Sequence, residues 1–120
     1  MTRVLIIEDE DNIRKFFALN LAARGYDVIE AANATDGLAL LRNSSPAMIL
    51  LDLKLPDMSG WDVLREMVRD LSLPQVPVVI ITASIGNENP ADIGYKHLYE
   101  VLIKPVSVQQ LTRVVKEALV

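Results

Sequence analysis

The sequence predicts an α/β fold, in which a doubly wound parallel sheet of five strands carries helices on both faces. Short apolar runs alternate along the chain with segments whose apolar residues recur at helical spacing, the pattern of an α/β sandwich. The apolar runs are nearly continuous in Val, Ile and Leu, as expected for strands that are covered on both faces. The chain has 120 residues, of which 51% are hydrophobic. That is enough for one buried core, and we expect a single domain over residues 1–120.

The first half of the chain is predicted to form three strands and two helices. The first helix should end near Gly25, because glycine is common just beyond a helix C-terminus. Asn33 is a suitable cap for the second helix. The elements predicted in this half are a strand at Val4–Ile7, a helix through Ile13–Leu21, a strand at Val28–Ile29, a helix at Ala34–Arg42 and a strand at Met48–Leu51.

The second half is predicted to continue the alternation, with one weak element. Asn89 can cap a helix that begins at Pro90, but the Asn and Gly residues around it make this segment a poor helix. Ser107 is predicted to cap the last helix. The elements of this half are a loop at Pro56–Gly60, a helix at Trp61–Leu71, a strand at Val78–Ile81, the weak helix, a strand at Val101–Ile103 and a helix through Val108–Leu119.

The composition excludes several classes of protein. The chain has no cysteine, which rules out disulfides, thiol nucleophiles and zinc–thiolate sites and fits a cytoplasmic location. No apolar run approaches the roughly 20 residues that a membrane span needs, and the N-terminal Met1–Arg3 leads directly into a strand, so we expect no signal peptide. The net charge is −4 and the basic residues are scattered, so we expect no direct binding of nucleic acid.

Four of the predicted strands end in polar residues that are suited to chemistry. Glu8 and Asp9 follow the first strand, and Asp52 follows the third. Thr82 ends the fourth strand, and Lys104 follows the fifth. Because the C-terminal ends of the strands lie along one rim of a doubly wound sheet, we expect three carboxylates, a hydroxyl and an ammonium group to converge there.

This set of side chains predicts a site for a divalent metal and a phosphoryl group. Three carboxylates in one cleft repel one another, so either some of them take up protons or a cation neutralises them. If a cation binds, ligands that are all oxygen suit Mg²⁺, with Mn²⁺ as a substitute. A carboxylate can be the nucleophile in phosphoryl transfer. Lys104 can pair with a phosphate oxygen, and Thr82 can donate its hydroxyl to the same group.

The order of these residues along the chain resembles that of response regulator receiver domains. Asp52 stands in the sequence LLDLKLPDMSG, four residues before Pro56 and eight before Gly60, and the acids, the threonine and the lysine lie on the matching elements. The resemblance covers essentially the whole chain. It implies a flavodoxin-like fold with strand order 2-1-3-4-5. It also implies a single receiver domain that accepts a phosphoryl group on Asp52 from a histidine kinase or a histidine phosphotransfer protein and thereby switches partner binding.

The resemblance also assigns roles to residues around Asp52. Asp9 would be the more direct metal ligand of the acidic pair, and Lys54 would contribute its main-chain carbonyl oxygen to the metal. The matching positions are the acids Glu8 and Asp9, the Lys54 carbonyl, the switch pair Thr82–Ala83, the phosphate-binding Lys104 and the cis proline Pro105.

One position departs from the family pattern. The family usually carries Tyr or Phe three residues before the lysine, and this chain has Val101 there. Valine has no ring that could turn inward when the threonine engages a phosphoryl group. Tyr99 lies two residues earlier, on the same face of the strand, and is either a substitute aromatic or a half-buried packing residue.

Two functions therefore stay open. A phosphorylation-driven switch would act on an unknown downstream partner through the face of the fourth helix, the fifth strand and the fifth helix, as a monomer or a homodimer. The alternative is a receiver-like interaction module that works without phosphorylation, which Val101 and the weak fourth helix favour. An enzyme is not expected, beyond the chain's own phosphorylation and dephosphorylation at Asp52. The run Asp52–Lys54 lacks the second acid of aspartyl phosphatases, and there is no Gly-rich phosphate loop.

Several other residues that could carry chemistry have structural interpretations. Trp61 is expected to pack in the core, and His97 is expected on the surface. Asp57 and Asp62 are expected to face solvent, as acids in a loop and in a first helical turn commonly do.

Overall fold

The computed structural model describes all 120 residues, with five strands and five helices alternating along the chain. The elements are β1 (Arg3–Ile7), α1 (Asp11–Ala22), β2 (Asp27–Ala31), α2 (Ala34–Ser44), β3 (Met48–Leu51), α3 (Gly60–Arg69), β4 (Val78–Thr82), α4 (Pro90–Ile93), β5 (Leu98–Ile103) and α5 (Val108–Ala118). All strands are parallel and lie in the order β2-β1-β3-β4-β5, which confirms the flavodoxin-like sheet. No helix combines the length and the apolar character that a membrane span requires.

The sheet separates two hydrophobic clusters, because successive residues of a strand point to opposite faces. On one face, α2 and α3 cover a cluster of 16 buried residues that includes Trp61 and Met67. On the other face, α1 and α5 cover a cluster of 12 buried residues that includes Phe17 and Leu111. The inner strands β3 and β4 are buried along their whole length, which explains their continuous apolar sequences.

Four helices begin at side chains that accept hydrogen bonds from free backbone N–H groups. Asn33 caps α2, Asn89 caps α4 and Ser107 caps α5, so all three predicted caps are confirmed. Ser59 caps α3 in a capping box, in which its hydroxyl accepts the N–H of Asp62 and the Asp62 carboxylate accepts the N–H of Ser59. The capping box fixes the start of α3 directly after the loop that follows β3.

The C-terminal end of α3 differs from its prediction. The helix ends at Arg69, and the prediction that it continues to Leu71 is wrong. The side chain of Asp70 accepts hydrogen bonds from the backbone N–H and the hydroxyl of Ser72, and this local turn competes with helix continuation. Leu71 continues the apolar spacing of the sequence but is 76% exposed.

The region of α4 and β5 is irregular. β5 begins at Leu98 rather than at the predicted Val101. A register shift opposite Val78–Val79 leaves Tyr99 as the extra residue of a bulge. α4 has only four residues and ends at Gly94, whose φ is +75°, so the prediction of a weak helix is confirmed.

Candidate functional site

The three predicted carboxylates meet at the C-terminal edge of the sheet. Backbone hydrogen bonds continue the sheet past its strands, from the N–H of Glu8 to Ala31 and from the N–H of Asp52 to Ile7. One carboxylate oxygen from each of Glu8, Asp9 and Asp52 lies within 4.8 Å of the others. Glu8 and Asp52 are only 1% and 4% exposed, whereas Asp9 is open to solvent. Two buried acids and one exposed acid therefore form an oxygen-only cluster.

Lys104 places an ammonium group between the two buried acids. Its Nζ lies 2.7 Å from Oε1 of Glu8 and 2.9 Å from Oδ2 of Asp52. A third acid, Glu10, lies 3.9 Å away. The residue is held at the rim by a backbone hydrogen bond from its N–H to the carbonyl of Thr82, 2.8 Å long. The predicted convergence of Lys104 with the acids is thus present in the fold.

Burial and the ammonium group act differently on the two buried acids. Burial raises the pKa of Glu8 to about 7, although the hydrogen bond from Lys104 opposes this change. Burial also acts to raise the pKa of Asp52, but the hydrogen bond and the charge of Lys104 hold it below its ordinary value. The pKa of Lys104 is raised, because its two carboxylate partners outweigh the effect of burial. At neutral pH, Asp52 is therefore an ionised carboxylate that faces a cation.

The loop between Asp52 and α3 is held closely against the site. The N–H of Lys54 donates to Oδ1 of Asp52 at 3.3 Å, and the N–H of Gly60 donates to the carbonyl of Leu53 at 2.8 Å. A Cβ atom on Gly60 would lie 2.4 Å from the carbonyl oxygen of Asp52. Only glycine allows this approach. The assignment of the Lys54 carbonyl to a metal stays a prediction.

Thr82 lies at the same rim, but its hydroxyl has a different partner. The residue is 2% exposed, and its Oγ1 donates to the carbonyl of Ser84 at 3.2 Å. The structure thus brings Thr82 next to Lys104 through the backbone, without a hydrogen bond from its side chain to Asp52. Ala83, directly after it, is exposed.

Asp57 has a role that the sequence analysis missed. It is exposed, as predicted, but its carboxylate accepts hydrogen bonds from the N–H of Ala34 at 2.9 Å and from the N–H of Thr35 at 2.8 Å, both at the start of α2. A third hydrogen bond, from the Thr35 hydroxyl, is the main reason that its pKa is lowered to about 2. No local sequence signal reveals this contact, because the partners are 22 residues or more apart.

The structure shows where the two side chains of β5 lie that depart from the family pattern, Val101 and Tyr99. Val101 is partly buried against the larger cluster. Tyr99 is 46% exposed, so its ring lies at the surface rather than in the core. The peptide bond between Lys104 and Pro105 is cis, as the resemblance implies. Trp61 is 5% exposed and His97 is exposed, as predicted for both.

The fold and the acidic rim define the class of this protein, and comparison with known proteins agrees. The family model for the response regulator receiver domain matches residues 4–116. The chain therefore belongs to the response regulator receiver family, the receiver domains of two-component systems. It is 33% identical over 118 residues to the polar-differentiation response regulator DivK of Brucella anthropi. The alignment covers 97% of this chain and 94% of DivK.

Other relatives are longer than this chain. It is 36% identical over 113 residues to the transcriptional regulatory protein AfsQ1 of Streptomyces coelicolor. The alignment covers 88% of this chain and 46% of AfsQ1. This chain spans 25% of the regulatory protein AtoC of Escherichia coli, but 98% of the protein PilH of Pseudomonas aeruginosa. The chain thus corresponds to a part of some relatives and to nearly the whole of others.

Solved structures share the fold over the full chain. A CheY-like receiver domain protein from Methanospirillum hungatei superposes with a TM-score of 0.86 at 30% identity, covering 99% of this chain and 94% of that one. A receiver domain protein from Clostridium thermocellum superposes with a TM-score of 0.83, also at 30% identity, with the same coverage of 99% and 94%.

Proposed function

We propose that this receiver domain accepts a phosphoryl group on Asp52 and thereby switches its binding to a partner. The observation that carries the proposal is the contact between Asp52 and Lys104 at 2.9 Å inside a cluster of acids. The lowered pKa of Asp52 keeps its carboxylate ionised at neutral pH, as a nucleophile requires. The residue is nearly buried, with 4% of its surface exposed.

The acidic cluster fits a divalent cation. Glu8, Asp9 and Asp52 offer carboxylate oxygens only, within 4.8 Å of one another, which is the ligand chemistry of Mg²⁺ or Mn²⁺. The main-chain carbonyl of Lys54 is the proposed additional ligand. The bound metal would neutralise charge on the phosphoryl oxygens during transfer.

The proposed transfer uses the side chains of the rim directly. A carboxylate oxygen of Asp52 forms a bond to phosphorus while the bond from phosphorus to the donor's imidazole nitrogen breaks, and that nitrogen then takes a proton from water. Lys104 pairs with a phosphoryl oxygen. Thr82 turns its hydroxyl from the Ser84 carbonyl to the phosphoryl group. The chain is then an acceptor that catalyses at most its own phosphorylation and dephosphorylation, rather than an enzyme that turns over a separate substrate.

Receiver domains interact with histidine kinases and with downstream effectors. For this chain we propose a histidine kinase or a histidine phosphotransfer protein as the donor, in the cytoplasm. The proposed output surface is the face formed by α4, β5 and α5, which acts on a protein partner and not directly on nucleic acid.

The test is incubation with Mg²⁺ and a small phosphodonor, acetyl phosphate or phosphoramidate, followed by intact-mass spectrometry. We expect the mass of one phosphoryl group to be added to the native protein and to Asp57→Ala, whose carboxylate lies in the same loop but points to α2. We expect no addition to Asp52→Ala. The proposal fails if neither donor modifies the native protein, or if Asp52→Ala is modified equally.

A second function is favoured by Val101 and by the single turn of α4. In this alternative the receiver fold binds its partner without phosphorylation, because the usual aromatic connection between the threonine and β5 is missing. Equal partner affinity of the native protein and Asp52→Ala, with and without phosphodonor, would support it over the switch.

A further inference from the structure

We propose that phosphorylation is transmitted to helix α3 through the segment Ser84–Glu88, with Trp61 and Arg65 as the residues that receive the movement. The inference rests on the proposed phosphorylation of Asp52. It differs from the proposed output surface, because it places a conformational response on the helix next to the phosphoacceptor loop and not only on α4, β5 and α5.

The segment begins at the hydroxyl that should respond to a phosphoryl group. Oγ1 of Thr82 donates to the carbonyl of Ser84 at 3.2 Å. Ser84 also accepts a hydrogen bond from the N–H of Gly86 through its own hydroxyl. If the Thr82 hydroxyl turns towards phosphorylated Asp52, the Ser84 carbonyl loses this partner. The start of the segment is then released from its present position.

The middle of the segment is bonded to the first turn of α3. The indole Nε1 of Trp61 donates to the carbonyl of Ile85 at 3.4 Å. Trp61 is 5% exposed and belongs to the larger hydrophobic cluster. A movement of Ile85 therefore acts on a large side chain that is packed in the core. Because the core is close-packed, a shift of this side chain displaces its neighbours.

The end of the segment is bonded to the second turn of α3. Arg65 pairs with Glu88 through Nη2 and with Asp62 through Nη1. Asp62 is the acid of the capping box with Ser59 that begins the helix. The carboxylate of Glu88 is thus connected, through one guanidinium group, to the start of α3.

The segment has room to move beside the site. A shallow surface depression of about 350 Å³, open to solvent, lies between the loop after Asp52 and the start of the segment, and its lining includes Lys54, Trp61 and Ser84–Gly86. The other route of transmission, from Thr82 through an aromatic ring on β5 to α4, is weak in this chain, because Val101 has no ring and α4 has only four residues. By contrast, α3 has ten residues and is tied to the segment at two points.

The experiment measures phosphoryl uptake and the response of α3 separately. Intact mass reports uptake. Hydrogen–deuterium exchange with peptide resolution reports α3, and the fluorescence of Trp61, the only tryptophan, reports its surroundings. In the native protein we expect phosphorylation to change amide exchange in α3 by roughly fivefold, the low end of typical coupling between sites, together with a change in tryptophan emission.

Two variants cut the two connections, and a third is the matched control. Trp61→Phe keeps an aromatic ring but removes the indole N–H, and Glu88→Gln removes the ion pair with Arg65. Glu66→Gln removes another α3 ion pair, the one with Arg69, which does not touch the segment. We expect all three to take up phosphate normally. The exchange response of α3 should shrink in the first two, nearly vanish in their combination, and persist in Glu66→Gln.

The outcomes separate this inference from the function on which it rests. Normal phosphate uptake with no exchange response in α3, or with a full response in the Trp61→Phe and Glu88→Gln combination, overturns the inference alone. Absence of phosphate uptake in the native protein overturns the proposed function and the inference together.

Discussion

Nζ of Lys104 lies 2.9 Å from Oδ2 of Asp52, although the two residues are 52 positions apart in the chain. They follow β5 and β3, which are separated in the sheet by β4. The lysine side chain therefore reaches across one strand to Asp52, the proposed phosphoacceptor. It also contacts Glu8, so that one cation serves two buried carboxylates.

Replacement of Lys104 should lower the free energy of unfolding by an amount that depends on pH. Lys104→Met leaves Glu8 and Asp52 buried without their cation, and breaking such a contact typically costs about 3 kcal/mol. The pKa of both acids should rise in the variant, so near pH 5 they can take up protons, and the cost should be smaller than near pH 8. Urea unfolding at the two pH values in the presence of a chelator measures the difference.

The control for this substitution is Lys96→Met, which removes an exposed lysine that forms no ion pair. It should change the free energy of unfolding little at either pH. An equal loss of stability for Lys104→Met at both pH values would contradict the account of the two buried acids.

Asp9 should contribute to metal binding but not to the stability of the metal-free fold. Asp9→Asn removes one of three neighbouring carboxylates, and the relief of repulsion should stabilise the metal-free protein by about 0.5 kcal/mol at most. The rise in Tm on addition of millimolar MgCl₂ should become smaller, because a ligand is lost. Thermal unfolding with and without Mg²⁺ measures both effects. Glu10→Gln, the next acid along the chain, should keep the full Mg²⁺-dependent rise, and an equal loss in both variants would argue against Asp9 as a ligand.

Asp57 should stabilise α2 from outside the helix. Asp57→Ala removes acceptors for the N–H groups of Ala34 and Thr35, and loss of a helix cap typically costs about 1 kcal/mol. The lowered pKa of about 2, against an ordinary 3.8, means that this contribution is present above about pH 4 and is lost as the pH falls towards 2. Urea unfolding between about pH 2 and pH 7 should show the two proteins converging at the acid end. Asp92→Ala, an exposed acid without an ion pair, should show no such convergence.

Tyr95 should make the protein sensitive to alkali. Its side chain is 7% exposed, its hydroxyl donates to the carbonyl of Val76 at 2.6 Å, and burial raises its pKa to about 12. The neutral phenol therefore stabilises the fold below about pH 10, and this contribution is lost as the pH rises from 10 to 12, by up to about 3 kcal/mol.

Tyr95→Phe isolates this effect from the titration of the lysines. Because the variant lacks the hydrogen bond to Val76, its free energy of unfolding at neutral pH should be lower by about 1 kcal/mol. It should not show the further loss of stability at alkaline pH. Urea unfolding from about pH 8 to about pH 11.5 tests this, and parallel curves for the two proteins over that range would contradict it.

The parts of the fold that the sequence predicts correctly are those with a strong local cause. The buried strands β3 and β4 are continuous apolar runs, and Asn33 and Ser107 are side chains that cap a helix through their immediate neighbours. The convergence of the acids with Lys104 follows from a general property of parallel sheets. The position of the site in the fold is therefore predictable from the sequence alone.

The parts that the sequence does not predict depend on competition or on distance. Leu71 continues the apolar spacing of α3, but the turn between Asp70 and Ser72 ends the helix first. Tyr99 lies in a bulge that lengthens β5 beyond its apolar run. The contact from Asp57 to Thr35 joins a loop to a helix that precedes it by 22 residues, and nothing in either segment indicates the other.

The close approach of Gly60 to the Asp52 carbonyl, together with the hydrogen bond from the Gly60 N–H to the Leu53 carbonyl, holds the two ends of the loop after Asp52, the proposed phosphoacceptor, against each other. The geometry of this loop is therefore already set before any donor arrives. Under the proposed function, a small phosphodonor and a large protein donor would meet the same carboxylate in the same orientation, and the donor would have to adapt to the loop. Discrimination among donors consequently falls to surfaces away from Asp52, so a change of signalling partner can evolve without any change in the reacting residues.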